Sequence, residues 1–179
     1  MKRSIFSLAL GWIGCTQTPR EFIPVKGFEV QRYLGVWYEI ARLDHSFEKG
    51  LSRVTAEYSL KANGTLRVVN RGFDAANNRW KRAEGRAKFV SQPDEGRLKV
   101  SFFGPFYGGY NILDLDDAYS RVLITGNDRS YLWILARQPR LPDSTMAFLV
   151  QKAKGLGFDT DALTYVEQSG VDTTVPGNN

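Results

Sequence analysis

The sequence has little of what metal centres, disulfides and membrane spans require. Its 179 residues include one cysteine, Cys15, and one histidine, His45. No disulfide can therefore form within the chain, and a zinc site with several His or Cys ligands is not expected. No stretch approaches the roughly 18 apolar residues that cross a bilayer. We expect no metal, no cofactor and no transmembrane helix.

Signals for nucleic-acid binding and for catalysis are also lacking. The net charge of +5 comes without a run of Lys and Arg, which is too weak a pattern to indicate a nucleic-acid partner. A hydrolase would need a nucleophile beside a base, yet His45 is the one imidazole, and a Gly-x-Ser-x-Gly elbow does not occur. The sequence therefore favours a protein that is not an enzyme.

The first fifteen residues are similar to a bacterial lipoprotein leader. A positive start is followed by a short, mostly apolar run over residues 5–13 and then by Gly14-Cys15, which is the layout of a secretory signal. A small residue before a lone cysteine resembles the site where bacterial lipoproteins are cleaved and acylated. We expect residues 1–14 to be a signal peptide, Cys15 to carry lipid, and 15–27 to form a tether. A plain signal peptide with an incidental cysteine is the alternative.

Short strands joined by turns dominate the rest of the chain. Each alternates in polarity or is rich in β-formers, and turn residues such as Asn63-Gly64 separate them. The predicted strands are 35–42, 53–60, 65–72, 80–89, 97–103, 110–115, 120–125 and 131–137. Eight short strands with hairpin-length turns predict an antiparallel sandwich or barrel.

One helix is predicted after the strands. Residues 142–144, Pro-Asp-Ser, are typical of a helix start, and an apolar stripe that includes Leu149 and Ala153 follows at helical spacing. We expect this stripe to pack on the outside of the sheet. A final short strand is expected at 163–166, and a disordered tail at 169–179.

Alternation assigns an inner and an outer face to each strand. In the first strand it places Ala41 with the inward Trp37, and Arg42 on the opposite face. In the seventh strand the inward face is expected to carry Leu123 and Thr125. Every barrel has inward apolar residues, so alternation alone cannot distinguish a filled core from a cavity.

Three short motifs resemble those of the lipocalin family. They are Gly35-x-Trp37 in the first strand, Asp116-Asp117-Ala118-Tyr119 in a late hairpin, and Arg137 at the end of the last barrel strand. Longer runs look like the bacterial branch of that family, the outer-membrane lipoproteins: 33–42, 99–111 and 131–137. The resemblance covers residues 28–168.

The resemblance implies a fold and a structural motif. The fold is all-β: an eight-stranded antiparallel up-and-down β-barrel, the lipocalin calyx, with one C-terminal helix packed outside. Gly35, Trp37 and Arg137 would form the motif at the base, where the guanidinium stacks on the indole in a cation–π contact of about 0.5–2 kcal/mol.

The resemblance also implies a function. Bacterial members are associated with fatty acids or lysophospholipids and with envelope maintenance. We expect binding, storage or transport of such a lipid at the outer membrane, facing the periplasm, with a lipid anchor at Cys15. The resemblance leaves a homodimer open.

The inward face supplies the candidate ligand-binding residues. Six of them would lie against an acyl chain: Tyr58, Val68, Val100, Phe102, Ile112 and Trp133. Three polar ones would orient the head group or carboxylate: Asn70, Tyr110 and Tyr131. Glu39 also points inward, where it would repel the carboxylate of a fatty acid. It therefore suits a zwitterionic head group or, slightly better, a buried hydrogen bond within the protein.

Other functions stay open as alternatives. The ligand could be another small hydrophobic molecule, such as a tetrapyrrole or a carotenoid. A lipid-modifying enzyme is less favoured. His45 follows the first strand in a loop that overhangs the mouth in the family, so it is either solvated or a head-group contact.

Overall fold

Nine antiparallel strands form one sheet that closes on itself as a barrel. The computed structural model describes residues 22–170. The strands are β1 (Gly35–Leu43), β2 (Leu51–Leu60), β3 (Leu66–Asp74), β4 (Arg79–Phe89), β5 (Arg97–Ser101), β6 (Gly108–Leu115), β7 (Arg121–Thr125), β8 (Leu132–Ala136) and β9 (Leu163–Tyr165). Each of β2 to β8 pairs with the next, and β1 pairs with β8 and β2 to close the wall. β9 adds to the second half of β1.

Helical elements lie around this barrel. They are α1 (Val30–Tyr33), α2 (Asp143–Gly155) and 3-10 turns at Ala75–Asn77 and Thr160–Ala162. The predicted eight-stranded barrel with a C-terminal helix is confirmed, as is the short last strand, whereas α1 and the 3-10 turns were not predicted. None of the helices within residues 22–170 is long and apolar enough to cross a membrane.

The two ends of the barrel differ. Up-and-down connections place alternate loops at opposite ends. One end, here called the closed end, carries the loops 61–65, 90–96 and 116–120. α1 lies across it and is tied to the last of these loops, since Arg32 donates to the Asp117 carbonyl. The other end, here called the mouth, carries the loops 44–50, 75–78, 102–107 and 126–131.

A bulge in β1 reverses the faces of its second half. Pairing with β8 shifts register between Glu39 and Ala41, and an extra residue moves every later side chain to the other face. Arg42 therefore joins Glu39 inside the barrel, where their side chains form an ion pair. Ala41 packs in the apolar cluster beneath α2. The prediction that Ala41 faces inward and Arg42 outward is wrong.

Two apolar clusters lie on opposite faces of the same wall. One fills the lower barrel around Trp37, and the other lies between the wall and α2, where it includes Leu149. Leu123, which was expected inside, belongs to the cluster beneath α2, while its neighbours Val122 and Ile124 belong to the barrel core. Because both faces of β7 are buried, its three central residues, 122–124, are all apolar and give no alternation to interpret.

The chain before α1 packs against the barrel. Phe22 is buried and stacks on Phe158 with ring centroids 5.4 Å apart, and the Val25 amide donates to the Ile112 carbonyl at 2.9 Å. Residues 22–27, which the expected tether includes, thus pack with the folded body. The predicted signal peptide, Cys15 and most of the predicted tail lie outside the described residues.

Candidate functional site

Trp37 forms the floor of the barrel interior. Its indole is fully buried, and the Tyr33 ring lies 4.8 Å away. The Arg137 guanidinium lies 4.0 Å from the indole centroid on the solvent side, which is the arrangement that the family resemblance implies. Gly35 has a φ of +92°, a conformation that favours glycine.

Arg137 also ties the closed end together through hydrogen bonds. It donates to the backbone carbonyls of Arg32, Leu34, Val36 and Tyr119 at 2.8–3.3 Å. Carbonyls at the end of α1, the start of β1 and the β6–β7 loop are thereby satisfied by one side chain. The floor is therefore a sealed, cross-braced layer rather than an opening.

Three tyrosine hydroxyls form a chain above the floor. The Tyr110 hydroxyl lies 2.6 Å from that of Tyr33 and 2.8 Å from that of Tyr58. Burial raises the pKa of all three phenols, so each keeps its proton. Two hydrogen bonds use two of the three protons, and one hydroxyl remains able to donate to another group.

Asn70 presents a polar atom that the protein itself does not satisfy. It lies on the inner face of β3, opposite Ala56 and Ala83 in the neighbouring strands. Its Oδ1 atom is buried and has no hydrogen-bond partner among the described residues. A buried amide oxygen left this way costs about 1–3 kcal/mol, so this position suits a ligand that donates a hydrogen bond.

The upper inner wall is apolar and partly open to solvent. Val100, Phe102 and Trp133 pack against the barrel core, yet each is only partly buried. The Phe102 ring occupies the space above Gly85, where an added Cβ would lie 2.8 Å from the ring. Lower inner residues such as Ile112 are fully buried. The interior is thus packed near the floor and exposes apolar side chains towards the mouth.

A buried charged cluster lies on the inner wall beside Trp133. Arg42 is 1% exposed, and its guanidinium donates to Glu39 at 2.8 Å, to Asp44 at 2.9 Å and to the Glu48 carbonyl at 2.8 Å. The Trp133 indole N–H donates to the Glu48 carboxylate at 3.0 Å. Every member contacts another, so the cluster is a self-contained anchor for the β1–β2 loop.

Burial dominates the electrostatics of this cluster. It raises the pKa of Glu39, and repulsion from Glu48 adds to the rise, while Arg42 opposes it. Burial also raises the pKa of Glu48. Since Glu39 is committed to Arg42, the geometry gives it a structural role rather than a free contact for a head group.

His45 and Tyr131 lie at the rim of the mouth. Their rings stack with centroids 4.1 Å apart, and His45 Nε2 donates to the Ser130 carbonyl at 2.8 Å. Tyr131 continues this stack to Trp133 at 5.9 Å. The aromatic column links the β1–β2 and β7–β8 loops and fixes the shape of the mouth on that side.

The structure separates the ten predicted ligand-binding residues by depth. Tyr58, Val68 and Ile112 are buried near the floor; Asn70, Val100, Phe102, Tyr110 and Trp133 line the half-open interior; Tyr131 is at the rim; Glu39 is in the charged cluster. Sequence reasoning missed Tyr33, Arg42 and Glu48. The bulge that turns Arg42 inward leaves no trace in the alternation, whereas the aromatic Tyr33 just before Gly-x-Trp is a signal that could have been used.

Outside the barrel, one surface pocket of about 280 Å³ lies at the closed end. Charged residues, among them Lys26, Arg32 and Asp117, form much of its lining, which makes it unsuitable for an apolar ligand. Within residues 22–170 no group of three or more His, Cys, Asp or Glu side chains is placed to hold a metal ion.

Comparison with known proteins gives consistent matches. Residues 28–168 match the family described as Lipocalin-like domain. The chain is 48% identical over 156 residues to outer membrane lipoprotein Blc of Vibrio cholerae, covering 87% of this chain and 91% of that protein. It is 48% identical over 152 residues to outer membrane lipoprotein Blc of Escherichia coli K12, covering 85% and 86% respectively.

A solved structure shows the same fold at low sequence identity. Insecticyanin from the tobacco hornworm, Manduca sexta, superposes with a TM-score of 0.65 at 20% identity, covering 83% of this chain and 85% of that one. The barrel architecture is therefore shared even where the sequence has diverged.

Proposed function

The chain belongs to the lipocalin family, and on that premise we propose that it carries a single-chain lipid, a lysophospholipid or a fatty acid, in its calyx. Like its bacterial relatives, it is a lipid-anchored protein of the outer membrane, and as a lipocalin it binds small hydrophobic ligands. Lipocalins are binding and transport proteins. The choice of an acyl lipid, and a role in envelope maintenance, are our proposals.

The observation that carries this proposal is the gradient of burial along the inner wall. Near the floor the inner side chains are packed and inaccessible, whereas Val100, Phe102 and Trp133 keep partly exposed apolar surface facing the mouth. An inner wall with accessible apolar side chains and few polar groups suits a hydrocarbon tail. Each methylene buried there contributes about 0.8 kcal/mol.

In this proposal the polar atoms inside the barrel orient one end of the ligand. The tyrosine chain can donate one hydrogen bond, and Asn70 Oδ1 can accept one. A head group or carboxylic acid that donates and accepts would satisfy both. Cys15 supplies the acylation site in this proposal.

Two measurements test the proposal. Native mass spectrometry of protein extracted from its own membranes should show one bound lipid and an acylated Cys15. Displacement of a fluorescent fatty acid should then give affinities for Phe102→Ser and for Val90→Ser, an exposed closed-end control. Losing the ring contact should weaken binding about 5- to 30-fold, equivalent to about 1–2 kcal/mol, with no loss in the control.

Equal affinities for the two variants and the wild type would contradict a ligand on this wall. Unfolding curves of both variants are needed beside the binding curves, so that a folding defect is not counted as lost affinity. A bound pigment in place of a lipid would keep the calyx as the binding site but overturn the proposed ligand class.

A further inference from the structure

We propose that the mouth docks on a bilayer surface that carries anionic lipids, with the 102–107 loop as the contact. The bound ligand would then enter and leave the calyx directly at the membrane. This goes beyond lipid carriage, because it specifies which surface of the protein faces the bilayer.

The 102–107 loop exposes apolar side chains that the fold does not use. Phe103 is 81% exposed and Phe106 is 79% exposed. Phe47 and Trp80, at other points of the mouth, are also more than half exposed. Aromatic side chains that are left in water at one end of a protein mark an interaction surface, and they are the side chains preferred at a membrane interface.

The wall is incomplete beside this loop. β5 pairs with β4 only along Arg86–Phe89, so residues 79–85 of β4 extend beyond it with one edge unpaired within the described sheet. The 102–107 loop lies next to this low side of the mouth, as the contact between Phe102 and Gly85 shows. A lipid could leave sideways here without passing over the full height of the wall.

Two cations that have no carboxylate partner among the described residues lie beside the same loop. Arg86 and Lys99 lie 5.7 Å and 5.3 Å from the Tyr107 ring, on the outer face of the barrel. Neither they nor Arg79 at the top of β4 form an ion pair with any described residue. Exposed aromatics flanked by Lys and Arg side chains that lack a carboxylate partner complement an anionic lipid surface in both apolarity and charge.

Phe22, the first described residue, lies at the mouth end of the barrel, a short stretch of chain from the proposed anchor. Phe22 lies 5.4 Å from the Arg129 guanidinium, which belongs to the 126–131 loop at the mouth. Six residues, 16–21, lie between Phe22 and Cys15, and the seven Cα–Cα steps that join the two span at most about 25 Å when extended. An anchor at Cys15, which is the acylation proposed above, therefore holds the mouth end of the barrel close to the bilayer.

The charges also argue against a second copy as the occupant. Pairing two of these surfaces face to face would bring Arg79, Arg86 and Lys99 of one molecule against the same cations of the other. The charged upper part of β4 likewise disfavours strand-to-strand pairing at its free edge. A bilayer with anionic head groups meets no such repulsion.

Hydrogen exchange on the reconstituted, full acylated protein tests the proposal. We expect the amides of 102–107 to exchange about tenfold more slowly on vesicles of phosphatidylcholine and phosphatidylglycerol in equal parts than on phosphatidylcholine alone. The double variant Arg86→Gln/Lys99→Gln should lose this slowing. Lys26→Gln/Lys61→Gln removes the same charge from exposed sites at the closed end and should keep it.

A second pair of variants tests the aromatic contact. Phe103→Ser/Phe106→Ser should abolish the slowing, and Leu60→Ser/Val90→Ser, exposed at the closed end, should not. Equal exchange on both vesicle types would overturn the proposal, and so would slowing in detergent that grows with protein concentration, which indicates self-association. Ligand occupancy by native mass spectrometry on the same samples separates a failure of docking from a failure of lipid carriage.

Discussion

Replacing Arg42 by methionine should cost the fold more than any loss of surface charge. The guanidinium is 1% exposed and holds Glu39, which is 4% exposed, at 2.8 Å. Arg42→Met leaves that carboxyl and the Glu48 carbonyl without their donor inside the barrel. Removing one partner of a buried pair typically costs about 3–5 kcal/mol. At this chain length each kcal/mol lowers Tm by about 2–4 °C, so we expect a fall of about 10 °C.

The double variant shows whether the loss comes from the stranded carboxyl. Glu39→Leu/Arg42→Met replaces both partners by apolar groups, and such replacements of buried pairs are often close to neutral. It should recover most of the free energy of unfolding that Arg42→Met loses. The penalty of the single variant should also be larger near about pH 9 than near about pH 5, because protonation relieves an unpaired buried carboxyl at low pH.

Urea unfolding followed by tryptophan fluorescence measures both effects. Trp37 and Trp133 lie inside the barrel, so their emission reports on the loss of its interior. A single variant as stable as the wild type would refute the idea that the pair is buried and needed. A double variant no better than the single one would assign the loss to packing of the Arg42 side chain instead.

Two further changes have clear expected outcomes. Burial raises the pKa of Glu39 from 4.5 to about 8. The contribution of Glu39 to stability is therefore fully present below pH 4.5 and is lost as pH rises through about 8. Glu39→Gln should flatten this decline in a pH series of unfolding midpoints, and an unchanged dependence of the midpoint on pH would place the titration at another group. Arg137→Leu should lower the free energy of unfolding by about 2–4 kcal/mol, because it strands several carbonyls and removes the contact with Trp37. Arg140→Leu makes the same substitution at an exposed arginine and serves as its control in the same urea titration.

The barrel itself was predictable because its signals are local. Asn-Gly turns and alternating segments give the hairpins, and the Gly35-x-Trp37 motif fixes which face of β1 begins inward. The Arg137 contact with Trp37 joins residues a hundred positions apart, and only the family resemblance could supply it. Cross-strand partners at that separation leave no trace in a single sequence.

The predicted inward residues of β1 and β7 were wrong for two different physical reasons. In β1 a bulge after Glu39 shifts the alternation by one residue, and bulges have no fixed sequence signature when no glycine is needed. In β7, α2 covers the outer face, so Leu123 is as buried as Val122. Burial on both sides removes the polar residues that alternation needs.

The stabilising contacts of the barrel lie at its closed end and around its mouth, which explains why the interior can stay partly open. At the closed end one guanidinium, one indole and α1 brace three segments of chain, so stability there does not depend on filling the upper cup. Towards the mouth the buried Arg42 cluster and the His45–Tyr131 stack fix the β1–β2 and β7–β8 loops. Phe103 and Phe106 stay exposed on the 102–107 loop. A binding protein needs its lining held on a rigid wall and its adaptable surface at the entrance. Arg42→Met should loosen the β1–β2 loop. If hydrogen exchange of the 102–107 amides stayed unchanged in that variant, the two loops would move independently. Ligand release would then be governed by the 102–107 loop, which faces the lipid surface.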